Sequence, residues 1–154
     1  MNQSILQIRV FNRLFFVLLF VFVFFGAQSQ NTVKLEKVWA TDTVFKTPEC
    51  VAIDYENKIL FVSNVNKDPW LLDGNGFISK LTPDGSIIKL EWVAGLNAPK
   101  GMGVYKERLF VTDIDRIVEI DIQSEKIIRY YEVPNAKFLN DLVIDPAGNI
   151  YASD

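Results

Sequence analysis

Apolar positions in this chain fall into short runs, paired across polar turns. Val51-Ala52-Ile53 and Ile59 to Val62 flank Asp54 to Lys58. Phe77 to Leu81 and Ser86 to Trp92 flank Thr82-Pro83-Asp84-Gly85. Met102 to Tyr105 and Leu109 to Thr112 flank Lys106-Glu107-Arg108, and Arg116 to Ile122 and Lys126 to Val133 flank Gln123-Ser124-Glu125. A final pair, Leu142-Val143-Ile144 and Ile150-Tyr151-Ala152, flanks Asp145 to Asn149. β-branched and aromatic runs separated by turn formers predict hairpins. In Ile117 to Ile122 apolar and acidic residues alternate, as in a strand with one wet face. Val33, Leu35, Val38 and Trp39 predict an opening strand, and no segment has a capped helical period.

The first hairpin of each group recurs. Thr47 to Asn64, Ala98 to Asp113 and Phe138 to Asp154 align on their apolar positions, with Pro48, Pro99 and Leu139 in register, 51 and 40 residues apart. A repeat of this length made of four short strands is the signature of a β-propeller blade. The expected class is all-β, a propeller, with two whole blades at 47–97 and 98–137 and an incomplete one at 138–154. The third copy stops in mid-blade, so the chain is expected to end before its fold does and to be inactive and poorly soluble by itself. The first blade carries an insertion, Asn66 to Gly76. Its Asp-Gly-Asn-Gly reads as a turn, because the downstream Glu of a calcium loop is missing. Trp70, Leu71 and Leu72 either cap the blade or line a pocket.

Residues 1–29 read as a secretory signal peptide: Arg9 and Arg13, an apolar run from Leu14 to Phe25, then small residues at Ala27 and Ser29. The alternative is a retained membrane anchor through 14–27; the run is short for a span. Residues 30–46 form an N-terminal segment. The expected location is therefore secreted or periplasmic, with no stable membrane insertion once the leader is cut. The leader takes two of 16 basic residues, leaving 14 against 19 acids, a net charge of −5. With no basic stripe, nucleic acid is excluded as a partner. The sequence contains no His, which removes His-based bases, triads and zinc sites. The sole thiol, Cys50, has no internal partner and reads as a small buried hydrophobe. Trp39 and Trp92 read as packing between blades.

Loops entering the innermost strands of a propeller share one mouth of its channel. Glu49, Lys100 and Asn140, with Asp141 beside it, occupy those entries. Carboxylate and amide oxygens suit Ca²⁺ or another divalent cation; the bland alternative is ordinary loop residues.

From Pro48 to Asp154 the chain resembles the regucalcin/gluconolactonase/luciferin-regenerating enzyme family of six-bladed propellers. The resemblance is carried by Glu49 and by FLNDLVIDPAGNIYASD. It implies a metal-dependent hydrolase acting on a lactone or other sugar-derived small molecule, with Glu49 and Asn140 as metal ligands and the remaining ligands in later blades. The ion would polarise the lactone carbonyl. Lys100 and Asp141 are the candidates for contacting substrate, although Lys100 equally balances Glu49 and Asp141 equally supports its loop. Cys50-Val51 stands where the family commonly has Gly-Pro. NHL-type propellers share the hairpin rhythm, so a non-catalytic propeller binding a sugar, peptide or protein is the alternative.

Overall fold

The computed structural model describes residues 34–154. The leader assigned to 1–29, and the anchor read at 14–27, lie outside them. Ten strands follow: β1 Pro48–Asp54, β2 Ile59–Asn64, β3 Gly76–Leu81, β4 Ile87–Leu96, β5 Pro99–Tyr105, β6 Arg108–Asp113, β7 Arg116–Asp121, β8 Lys126–Glu132, β9 Leu142–Ile144 and β10 Ile150–Ala152. They form antiparallel sheets in sequence order, β1 to β4, β5 to β8, and the pair β9 and β10. No helix occurs among the described residues, and none there is long and apolar enough to cross a membrane. Each sheet is a meander of hairpins, the architecture of a propeller blade, and the blades are stacked through their inner strands β1, β5 and β9.

Two kinds of packing join them. Between the first two blades, alternate residues project into a common core. Ala52, Phe61, Ile78 and Trp92 meet Met102, Leu109, Val111 and Ile120. Phe61 and Trp92 lie with ring centroids 4.8 Å apart at 37°, a tilted contact that adds to simple burial. β4 extends beyond the expected Trp92 as far as Leu96, because Val93 and Leu96 join this core. The third blade docks differently. A Cβ on Gly101 would lie 2.6 Å from the Asn140 carbonyl oxygen and from Asp141 Cα, and one on Gly103 would strike Leu142 and Ile144. The absent side chains admit backbone against backbone: Gly101 N–H donates to the Asn140 carbonyl at 2.8 Å.

Among the described residues the expected opening strand is not formed. Residues 34–42 have no regular structure, and Leu35 and Val38 are exposed. No neighbouring strand offers Trp39 a ladder. It closes instead on the β3–β4 turn, donating its indole N–H to the Pro83 carbonyl at 3.0 Å with its ring against Gly85. Gly85 has φ +87°, a conformation only glycine adopts freely. Trp39 therefore caps a turn rather than packing between blades, whereas Trp92 does pack between them. Phe45 covers Leu60, Val62 and Leu81 on the outer face of the first blade.

Candidate functional site

A repeated dipeptide builds the entry to each inner strand. Ser63-Asn64, Thr112-Asp113 and Ser153-Asp154 occupy equivalent places. The second residue of each pair accepts hydrogen bonds from the loop leading into its own blade. Asn64 Oδ1 accepts from Lys46 N–H at 2.9 Å. Asp113 accepts from the N–H groups of Asn97 (2.9 Å) and Ala98 (2.7 Å). Asp154 Oδ1 accepts from those of Lys137 (2.9 Å) and Phe138 (2.6 Å). The hydroxyl of the first residue holds backbone one step further in. Ser63 accepts from Cys50 N–H at 3.0 Å and Ser153 from Asp141 N–H at 3.1 Å, while Thr112 donates to the Asn140 carbonyl at 2.5 Å. The ladder slips between Pro48 and Val51, where the Ser63 hydroxyl fills a bond that the bulge opens, and between Pro99 and Met102, where Thr112 also reaches the Gly101 carbonyl at 3.3 Å.

These latches set Glu49, Lys100 and Asn140 at one end of the three blades. Glu49, Asn140 and Asp141 are exposed, and Lys100 is buried at 3 % exposure. The Lys100 ammonium donates to the Ala98 carbonyl at 3.2 Å and sits 3.9 Å from the centre of the Phe138 ring. Burial pushes its pKa down, and the carboxylates of Asp113 and Glu49 oppose that shift. Asp113 is itself committed, since Arg116 holds its Oδ2 through two N–H groups at 2.8 and 3.0 Å. Cys50 is half-buried; burial raises its thiol pKa, and the charges of Asp141 and Glu49 add to the rise. Cys50 thus has the character of a small hydrophobe rather than a reactive thiol. The Asn140 carbonyl accepts from Gly101 N–H, next to Lys100, and the charges of Asp141 and Glu49 both reach Cys50.

A divalent cation is a different matter. Calcium takes six to eight oxygen ligands. Among the described residues no three acidic or thiol side chains come close enough to share an ion. Lys100 also brings positive charge towards Glu49. The residues present do not by themselves fit a divalent ion.

Three features were not foreseen from the sequence. The latches are one, although the recurring hydroxyl–acid or hydroxyl–amide dipeptide marks them. The second is a stack across blades: Trp70, from the insertion, lies on Phe138 with centroids 3.8 Å apart at 29°, on the ring that Lys100 also faces. No local pattern signals a contact between residues so far apart in the chain. The third is a cleft of about 330 Å³ at the opposite end of the first two blades, lined by Asn57, Ile59, Lys80, Glu107 and Glu125 among others. There Lys80 and Lys89 hold Glu125 across the blade junction at 3.2 and 3.5 Å. The insertion's Asp73 is a turn former, accepting Asn75 N–H at 3.2 Å.

No family model matches the chain, and no curated protein matches it. Among solved structures it is similar to a gluconolactonase from Xanthomonas campestris, with 14% identity and a TM-score of 0.56 over 71% of this chain and 35% of that one. It is also similar to Kuenenia stuttgartiensis hydrazine synthase, with 17% identity and a TM-score of 0.57 over 78% of this chain and 32% of that one. The chain spans about a third of the length of each. At such identity the likeness is one of fold: these are β-propeller blades, arranged like those of a gluconolactonase.

Proposed function

We propose that the protein is an exported lactone hydrolase acting on a sugar-derived lactone. The observation that supports this reading is that the entries of three successive blades, which carry Glu49, Lys100 and Asn140, adjoin through β1–β5 packing and the Gly101 N–H to Asn140 carbonyl bond, on a fold similar to a gluconolactonase. Lactone hydrolysis adds water across the acyl C–O bond and builds negative charge on the carbonyl oxygen. Fixed positive charge and N–H donors aimed at that oxygen lower the barrier. In this chain the Asn140 side-chain amide supplies a donor at the mouth. Lys100 supplies charge from beneath Phe138, and Glu49 supplies the carboxylate. A divalent ion forms part of the proposal for the whole propeller only, with Glu49 and Asn140 contributing two of its ligands and other parts of the protein the rest.

The test is proton release from glucono-δ-lactone by the full-length protein, with and without Glu49→Gln. The variant is expected to lose at least about a hundredfold in rate, the scale of removing a positioned catalytic group. Calorimetry with CaCl₂ on the same pair reads the ion separately; equal heats would remove Glu49 from any cation site. Proton release no faster than in buffer would end the lactonase reading, and an undiminished rate in the variant would remove Glu49 from the chemistry. The second reading is a non-catalytic propeller that binds a sugar, peptide or protein. The Lys100 ammonium, held at the second entry by the Ala98 carbonyl, favours it, since positive charge there suits a polar ligand better than a cation.

A further inference from the structure

The insertion at 66–76 holds an aromatic surface open at the mouth of the site. Trp70 has one contact surface on Phe138 and is still 63 % exposed, and Leu71 and Leu72 after it are 51 % and 63 % exposed. Three large apolar residues in a row would ordinarily turn inward, because each buried side chain of this size contributes about 2 kcal/mol. Hydrogen bonds keep them outside. Asp68 Oδ1 accepts the Trp70 N–H at 2.9 Å, and Asn66 closes the loop by donating its side-chain amide to the Asn75 carbonyl at 2.9 Å. Gly74 N–H donates to Asn97 Oδ1 at 3.2 Å, tying the loop's far end to the entry of the second blade. Lys67 accepts a strained φ of +101° within it. Phe138, the floor under Trp70, is two residues from Asn140 and lies against Lys100. The platform therefore joins the candidate site by direct contact.

We propose that Trp70, supported by Phe138, is a binding subsite for a second sugar ring attached to the lactone. This rests on the lactonase reading for the identity of the first ring. A flat indole suits the C–H face of a sugar ring. Lys67, Asp68 and Asp73, exposed on the same loop, offer the polar groups that ring hydroxyls need. Binding gained there, away from the reacting carbonyl, holds the lactone ring over Glu49 and Asn140. The preferred substrate is accordingly a two-ring lactone rather than a single one.

Isothermal titration calorimetry of the full-length protein tests this without requiring turnover. Titration with cellobionate and with gluconate, stable products of the two lactone types, is expected to give saturable heats, with cellobionate binding at least about tenfold tighter, or 1.4 kcal/mol. Trp70→Ala should abolish that preference, and Trp70→Phe should keep part of it. Trp39→Phe, altered on the opposite end of the blades, should leave it intact. Circular dichroism checks that each variant folds; should Trp70→Ala not fold, Trp70→Phe against Trp70→Leu decides, with only the aromatic variant retaining the preference. Equal affinity for both acids, no saturable signal in the wild type, or a preference that survives loss of the ring would overturn the subsite. Trp70-dependent cellobionate binding with no lactone hydrolysis would sink the lactonase reading and leave the subsite standing. Lactone hydrolysis with no role for Trp70 would do the reverse.

Discussion

The two blade junctions solve one problem by opposite means. The first interlocks large side chains, Phe61 and Trp92 against Met102, Leu109 and Val111. The second removes side chains, so that the loop at Asn140 can lie on the β5 backbone at Gly101 and Gly103. The first is held by apolar area, which is tolerant of direction. The second is held by a hydrogen bond and close approach, which tolerate no added atom. The interlocked junction thus carries stability, while the close one fixes where Asn140 stands relative to Lys100.

Phe61→Ala should break the first junction. A fully buried aromatic truncated to Ala costs about 3–5 kcal/mol, read as a lowered midpoint in urea unfolding of the full-length protein. A loss below about 1 kcal/mol would mean that the blades do not depend on each other. Gly101→Val attacks the second junction. Overpacking costs roughly 1–3 kcal/mol, less than the first change, but it displaces the Asn140 loop directly. It should therefore reduce lactone turnover far more than Phe61→Ala does at a temperature where both are folded. Equal losses of turnover would erase the contrast.

The smallest effect concerns the latches. Asp113 is fully buried and shared with Arg116, whereas Asp154 is exposed and holds only Lys137 and Phe138 N–H. Those two hydrogen bonds pull the Asp154 pKa below the ordinary carboxylate value, the Phe138 bond most. A carboxylate whose pKa is lower folded than unfolded stabilises above the unfolded value, near 3.9, and loses that contribution as pH falls through the folded one. The amides of Lys137 and Phe138 should stay protected from hydrogen exchange down to about pH 4 and open below it. Opening near neutral pH would show that the latch does not hold the third entry.

Much of this was legible in residue order. Alternation and turn formers located all ten strands, because hairpins are local and their period is two. The polar entries Glu49, Lys100 and Asn140 followed from the repeat. Trp39 was misplaced because apolar spacing names a buried face without naming what covers it; here the cover is the turn at Pro83 and Gly85. The burial of Lys100 was equally hidden, since it depends on Phe138, 38 positions later in the numbering, folding over it. Nothing local marks Gly101 and Gly103, because the atoms that fill the place of their missing side chains come from Asn140 to Ile144, about 40 positions on.

The latch of the first blade closes at Asn64, and the loop that carries Trp70 begins two residues later. A change in that loop's length or chemistry can therefore accumulate without loosening Glu49, whose entry is already pinned upstream by Ser63 and Asn64. Evolution, or an engineer, is free to retune what the protein prefers to hold while the entry at Glu49 stays put.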